Sequence, residues 1–195
     1  MRIGGIEPEA VEVRGSASGS LGYGVVARIF HWLVVLFIFV TIPAGFLMTQ
    51  GLPRSVQDPL FALHKTIGVT LLILMLARLA WRIGHGAPPP APMPRAQQVA
   101  AAAVHWALYV LVIAMAATGY TRVVAGGFPI EILNALGVPP LFPKNEALAS
   151  AAKSAHASIA IVLIVVIAGH VAAAAYHALV RKDGVASRIW PPFSA

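Results

Sequence analysis

Between Lys153 and Arg181 the chain reads KSAHASIAIVLIVVIAGHVAAAAYHALVR, with no charge between its two ends. A stretch this long and apolar crosses a bilayer as a helix, which needs about 20 residues. It also carries His156, His170 and His177. At 3.6 residues per turn, spacings of 14 and 7 bring all three imidazoles to one helical face, with His156 and His170 about 21 Å apart along the axis. Ionisable groups inside a membrane helix are costly and mark function by default. The fold and the chemistry must both give these side chains partners.

Three more spans follow from the same criterion, at about 29–48, 59–81 and 99–121, with the fourth at 154–180. The chain is 58% hydrophobic and 11% charged, where a soluble domain is about 25% charged. The expected fold is an all-α membrane protein, a four-transmembrane-helix bundle over residues 28–183. A mobile polar tail at 1–27 precedes it, and a C-terminal tail at 184–195 follows. The linker at 83–98 holds five prolines and reads as extended. The 122–153 loop is the longest between spans, and within it 129–136 (PIEILNAL) reads as a short amphipathic helix on the surface.

Lys and Arg set the orientation. Counted with the span ends that adjoin them, the two tails and the proline-rich linker carry nine (Arg2, Arg14, Arg28, Arg78, Arg82, Arg95, Arg181, Lys182 and Arg188), whereas the opposite side carries five: Arg54, Lys65, Arg122, Lys144 and Lys153. The positive-inside rule then puts both termini in the cytoplasm. The net charge of +7 reflects this bias, and no basic run or motif points to nucleic acid. No internal sequence repeat is evident, so an inverted-repeat transporter is not supported.

The chain has no cysteine. This excludes thiolate-ligated haem, cysteine-held iron–sulfur clusters and covalent C-x-x-C-H haem attachment. Histidine is the remaining candidate ligand. His64 and His156 open their spans on the outer side and stand level. His31 lies near the inner end of the first span, and His170 lies in the inner half of the fourth. Two pairs at two depths suit iron held by two imidazoles, which leaves no open position and favours electron transfer. Zinc wants three or four ligands at one depth, which only the inner end, with His31, His105, His170 and His177, approaches. Gly68 lies one turn beyond His64. It leaves room either for a flat ligand or for a closely packed helix.

In its motifs the chain resembles the bacterial cytochrome b561 family of small four-helix, di-haem b membrane proteins. The segments that carry the resemblance are RIFHWLVVLFIF, LHKTIGVTLLILMLARLAWR, VHWALYVLVIAMAATGY and HASIAIVLIVVIAGHVAAAAYHALVRKD. The resemblance implies axial ligands at His31, His64, His156 and His170, paired as His64 with His156 and His31 with His170, for two haem b groups. Counting from the charged span ends matches His177 to His31 better than His170. His177 therefore stands as the alternative ligand, unless the fourth helix tilts or projects beyond the membrane. Lys65, Arg78, Arg82 and His105 are candidates for propionate or quinone contacts.

The resemblance further implies transmembrane electron transfer in a bacterial inner membrane, with membrane quinone, ubiquinone in particular, as acceptor. Superoxide is a candidate electron donor, as in superoxide oxidases. Two other readings remain at this point. One is a cytochrome b subunit that anchors a hydrogenase- or dehydrogenase-type partner. The other is a haem-free transporter or scaffold.

Overall fold

A computed structural model describes residues 22–190. The expected polar tail, up to residue 21, and the last five residues lie outside the described residues.

Four long helices form: α1 (Val25–Leu47), α2 (Arg54–His85), α3 (Arg95–Ala125) and α5 (Glu146–Ala175). The last continues through a widened π-type turn, Tyr176–Arg181. The short α4 (Glu131–Ala135) lies in the loop before α5, and no strand occurs among the described residues. All four long helices are apolar and long enough to cross a membrane.

Each helix outruns the span read from hydropathy. Hydropathy sees only the lipid-immersed part, while the backbone ladder continues until a residue stops it. Helix α2 runs on to His85 and ends at Gly86, whose φ of 70° requires glycine, ahead of Pro88. Pro94 precedes the first turn of α3. The linker is therefore shorter than expected, and His85 belongs to α2, stacked on Trp81 at 3.6 Å. Asn145 caps α5 by accepting from the Leu148 amide at 3.0 Å. From Glu146 to Arg181 is 36 residues, or about 54 Å of helix at 1.5 Å per residue. That exceeds the hydrocarbon core, about 30 Å, so α5 projects well beyond it.

The helices are apolar all round, and many large side chains face outward, among them Phe39, Ile73, Val110 and Ile161. Lipid is their solvent. The protein core is correspondingly thin: Val34, Leu71, Met75, Val112 and Leu163. Helix α1 packs on α2, α2 on α3 and α3 on α5. No other pair of spanning helices packs extensively. The bundle thus consists of two hairpins, α1/α2 and α3/α5, joined at the α2–α3 seam and parted between α1 and α5.

The described ends meet at one end of the bundle, where the Tyr23 amide donates to the Arg188 carbonyl at 2.9 Å. We call this the termini end and the other the loop end. The C-terminal segment folds back across it. Trp32 donates through Nε1 to the Ile189 carbonyl at 3.1 Å and meets Trp190 edge-on. Arg188 donates to the Pro89 carbonyl. At the loop end Ile130 is buried against Val69 and Val124, and Lys65 Nζ clamps the loop through Glu131 (2.6 Å) and the Pro129 carbonyl (2.7 Å).

Candidate functional site: two imidazole pairs

At the loop end, His64 of α2 and His156 of α5 face one another with ring centroids 6.3 Å apart. Each is held by the first helix of its own hairpin. His64 Nδ1 lies 3.0 Å from the Thr41 carbonyl and 3.3 Å from its hydroxyl. His156 Nδ1 lies 3.0 Å from the Met115 carbonyl and 3.3 Å from the Thr118 hydroxyl. A carbonyl only accepts, so each Nδ1 carries the hydrogen and each Nε2 keeps its lone pair. A fixed tautomer with a backbone acceptor behind it is how metal-ligating histidines are oriented.

The approach needs glycine twice. A Cβ at Gly45 would stand 2.9 Å from His64 Cε1, and one at Gly119 would stand 3.0 Å from His156 Cε1. Gly68 differs, because a Cβ there would meet nothing within 4 Å. Close helix packing is therefore not its reason, and open space beside His64 is what it leaves.

At the termini end, His31 of α1 faces His170 of α5 at 6.5 Å. His31 Nδ1 is buried with no hydrogen-bond partner, which ordinarily costs about 1–3 kcal/mol. His105 of α3 meets His170 edge-on at 5.6 Å. His177 lies elsewhere: its Nδ1 donates to Asp183 Oδ2 at 2.7 Å. The projection of α5 allows His170, eleven residues before Arg181, to stand level with His31. Among the described residues no three His, Asp or Glu side chains converge on a common metal position.

The separations fit a two-ligand metal centre. With metal–imidazole bonds of about 2.0–2.1 Å and about 1.2 Å from nitrogen to ring centre, two imidazoles on opposite sides of one metal would stand about 6.4 to 6.6 Å apart. Both pairs lie within 0.1 Å of that range. Both pairs bridge the two hairpins, His64 with His156 between α2 and α5 and His31 with His170 between α1 and α5.

The cations divide between the pairs. Arg78 is placed so that its charge acts on His31, His105 and His170, and its guanidinium lies 5.2 Å above the Tyr109 ring. Arg82 acts on His105. Arg122 acts on both His64 and His156. Lys65 is engaged by Glu131, and Lys144 by Glu146 at 3.3 Å. Thr41, Gly45, Met115, Thr118 and Gly119 escaped the sequence reading. The available signal was a His–Trp pair followed by glycine 14 residues after the histidine, in both α1 and α3.

Comparison with known proteins gives a consistent result. The family model for prokaryotic cytochrome b561 matches residues 22–192. The chain is similar to cytochrome b561 homolog 2 of Escherichia coli K12, with 31% identity over 86% of this chain and 90% of that protein. It is similar also to the probable superoxide oxidase CybB of Yersinia pestis, with 31% identity over 83% of this chain and 91% of that one. Cytochrome b561 homolog 1 of E. coli K12 shares 27% identity over 83% of this chain and 92% of its own length.

Proposed function

The chain belongs to the prokaryotic cytochrome b561 family, and from that premise we propose that it carries electrons across the membrane on two b haems, one at each imidazole pair. Membership implies haem b. The number of haems and their ligands are our assignment: His64 with His156 at the loop end, His31 with His170 at the termini end. The observation that carries it is the pair of centroid separations, 6.3 and 6.5 Å, joined to Nδ1 anchors that reserve Nε2 of His64 and His156.

Haem b supplies an iron that exchanges one electron at a time. The chain's part is to hold it. Carbonyls of Thr41 and Met115 fix the tautomer of the loop-end pair. Two histidines at each pair would hold the group from the protein alone, and a centre held that way would suit electron transfer rather than oxygen binding. Helix α5 sets the spacing of the two pairs at about 21 Å along its axis. Arg122 at the loop end and Arg78 with Arg82 at the termini end are placed to pair with propionates, since guanidinium bonds carboxylate in a fixed fork. His105 stands beside the termini-end pair, toward a propionate or a quinone. Lys65 is assigned to the loop clamp.

We read the protein as a bacterial inner-membrane protein with both termini cytoplasmic and the loop end outside, an orientation that the charge bias supports. Superoxide from that side is the proposed donor and membrane ubiquinone the acceptor. The similarity to a probable superoxide oxidase supports this. The test is ubiquinone reduction by the purified protein under a steady superoxide flux. Acceleration over a protein-free control supports the donor, and no acceleration contradicts it. Exposed Phe128, Leu136 and Leu141 on the loop favour a second reading, in which this end docks a redox partner subunit. Recovery of such a subunit bound to the native protein selects it.

A further inference from the structure

The two hairpins carry corresponding site residues at constant offsets. His31, Trp32 and Gly45 of α1 recur 74 positions later as His105, Trp106 and Gly119 of α3. His64 and Leu71 of α2 recur 92 positions later as His156 and Leu163 of α5. The contacts recur with the residues. Thr41 and Met115 are also 74 apart, and their carbonyls hold the corresponding imidazoles at the same 3.0 Å. Gly45 and Gly119 make the same close approach, and Leu71 and Leu163 are buried in the same core. Because α1 corresponds to α3 and α2 to α5, with equal chain direction, the halves are related by rotation about an axis along the bundle, a parallel repeat. The repeat that the sequence did not display on its own is present in the geometry.

The termini end breaks the symmetry at one position. Fourteen residues past His156 is His170. Fourteen past His64 is Arg78. Rotation carries His31 onto His105 and His170 onto Arg78, so the partner of the His31–His170 pair is His105 with position 78. The seams differ in the same sense. Helices α1 and α5 stand apart where His31 faces His170, whereas α2 and α3 are packed together. On that packed seam Arg78 lies over Tyr109, one turn beyond His105 on α3.

We propose that the two hairpins are copies of one haem-holding unit, and that His105 with position 78 is the rotation-related counterpart of the His31–His170 pair as a place for a b-haem iron. It is closed in this chain because Arg78 stands where the other half has histidine. This inference rests on the ligand assignment above. Arg78 thereby decides which of the two rotation-related seams takes the termini-end haem.

The test exchanges the two residues, Arg78→His with His170→Arg, which leaves composition and charge unchanged. Haem is counted per chain, and its low-spin spectrum is recorded in detergent. In the wild type, His31→Ala removes one haem, and His105→Ala, which takes only an edge contact from that site, removes less than one. In the exchanged chain the dependence reverses: two haems are retained, His31→Ala leaves both, and His105→Ala removes one. The loop-end haem reports folding throughout. If the exchange removes that haem too, the same reversal is read in Arg78→His with His170→Ala, and its absence there overturns the proposal. An exchanged chain that keeps only the loop-end haem, or that still depends on His31, sinks this inference alone. A wild-type chain that keeps both haems after His31→Ala sinks the ligand assignment and this inference with it.

Discussion

His64 and His156 face each other across the line where two helical hairpins meet, 6.3 Å between ring centres, and neither is held by the other's hairpin. Each leans on a carbonyl of the helix before it, 3.0 Å from Nδ1. Each hairpin thus presents one finished ligand, and the two ligands meet in the gap.

That construction makes the two glycines structural to the site. Gly45→Ala and Gly119→Ala introduce a Cβ within 3.0 Å of an imidazole carbon, an overpacking that costs about 1–3 kcal/mol. Each substitution is expected to displace its ring, weaken or remove the loop-end haem, and spare the other. Gly68→Ala, with nothing within 4 Å, is a comparison of the same size at the same pair. Haem content and the reduced-minus-oxidised spectrum of the three variants check this. Equal haem loss from Gly45→Ala and a distant helix glycine such as Gly84→Ala would speak against it.

His170 and His177 are separated by one experiment. His170→Ala is expected to leave about one haem per chain, because it takes a ligand from the pair with His31. His177→Ala is expected to leave both, since His177 is spent on Asp183. Haem-to-protein ratios distinguish the two outcomes.

The contact between His177 and Asp183 has a pH signature of its own. The hydrogen bond from His177 holds the Asp183 carboxyl below its ordinary value of 3.8. A carboxyl lowered in the folded state contributes stability above its ordinary value and loses it as pH falls through the lowered one. The His177–Asp183 contact should therefore weaken as pH falls through the lowered Asp183 value. His177→Ala is expected to raise the Asp183 titration toward 3.8, as read by carboxyl NMR. An unchanged titration contradicts the contact.

The loop clamp behaves in the same direction for a different reason. Partial burial alone would raise the Glu131 carboxyl, but the Lys65 hydrogen bond and charge outweigh it and leave the group below 4.5. Glu131 is largely exposed, so Glu131→Gln should cost less than about 1 kcal/mol. The expected readout is faster hydrogen exchange in residues 126–145 of the variant above the ordinary carboxylate pKa. The difference from wild type should vanish as pH drops below the lowered value. A difference that persists in acid contradicts the clamp.

The spans, the prolines between them and the histidines on one face of α5 were legible because each is a local pattern of hydropathy, backbone chemistry or helical spacing, whereas the choice of His170 over His177 came from the family resemblance. What escaped depends on contacts between segments. Nothing in the 126–145 loop marks Glu131 as the partner of Lys65. The fold-back onto Trp32 uses the backbone carbonyl of Ile189, which any residue would supply. The repeat was hidden because apolar side chains exchange freely in lipid, so α1 and α3 keep in common chiefly what touches the site. Depth counted from charged ends pointed toward His177, because it assumed that α5 stops at the membrane surface. The helix runs on to Arg181, and His170 meets His31.

The most direct test is haem quantitation with low-spin electron paramagnetic resonance on the wild type and the four single alanine variants at His31, His64, His156 and His170. Two haems per wild-type chain are expected, with two distinct low-spin signals. His64→Ala and His156→Ala should remove the same signal, and His31→Ala and His170→Ala the other. One haem per chain, or losses that pair the histidines differently, would contradict the two-pair account.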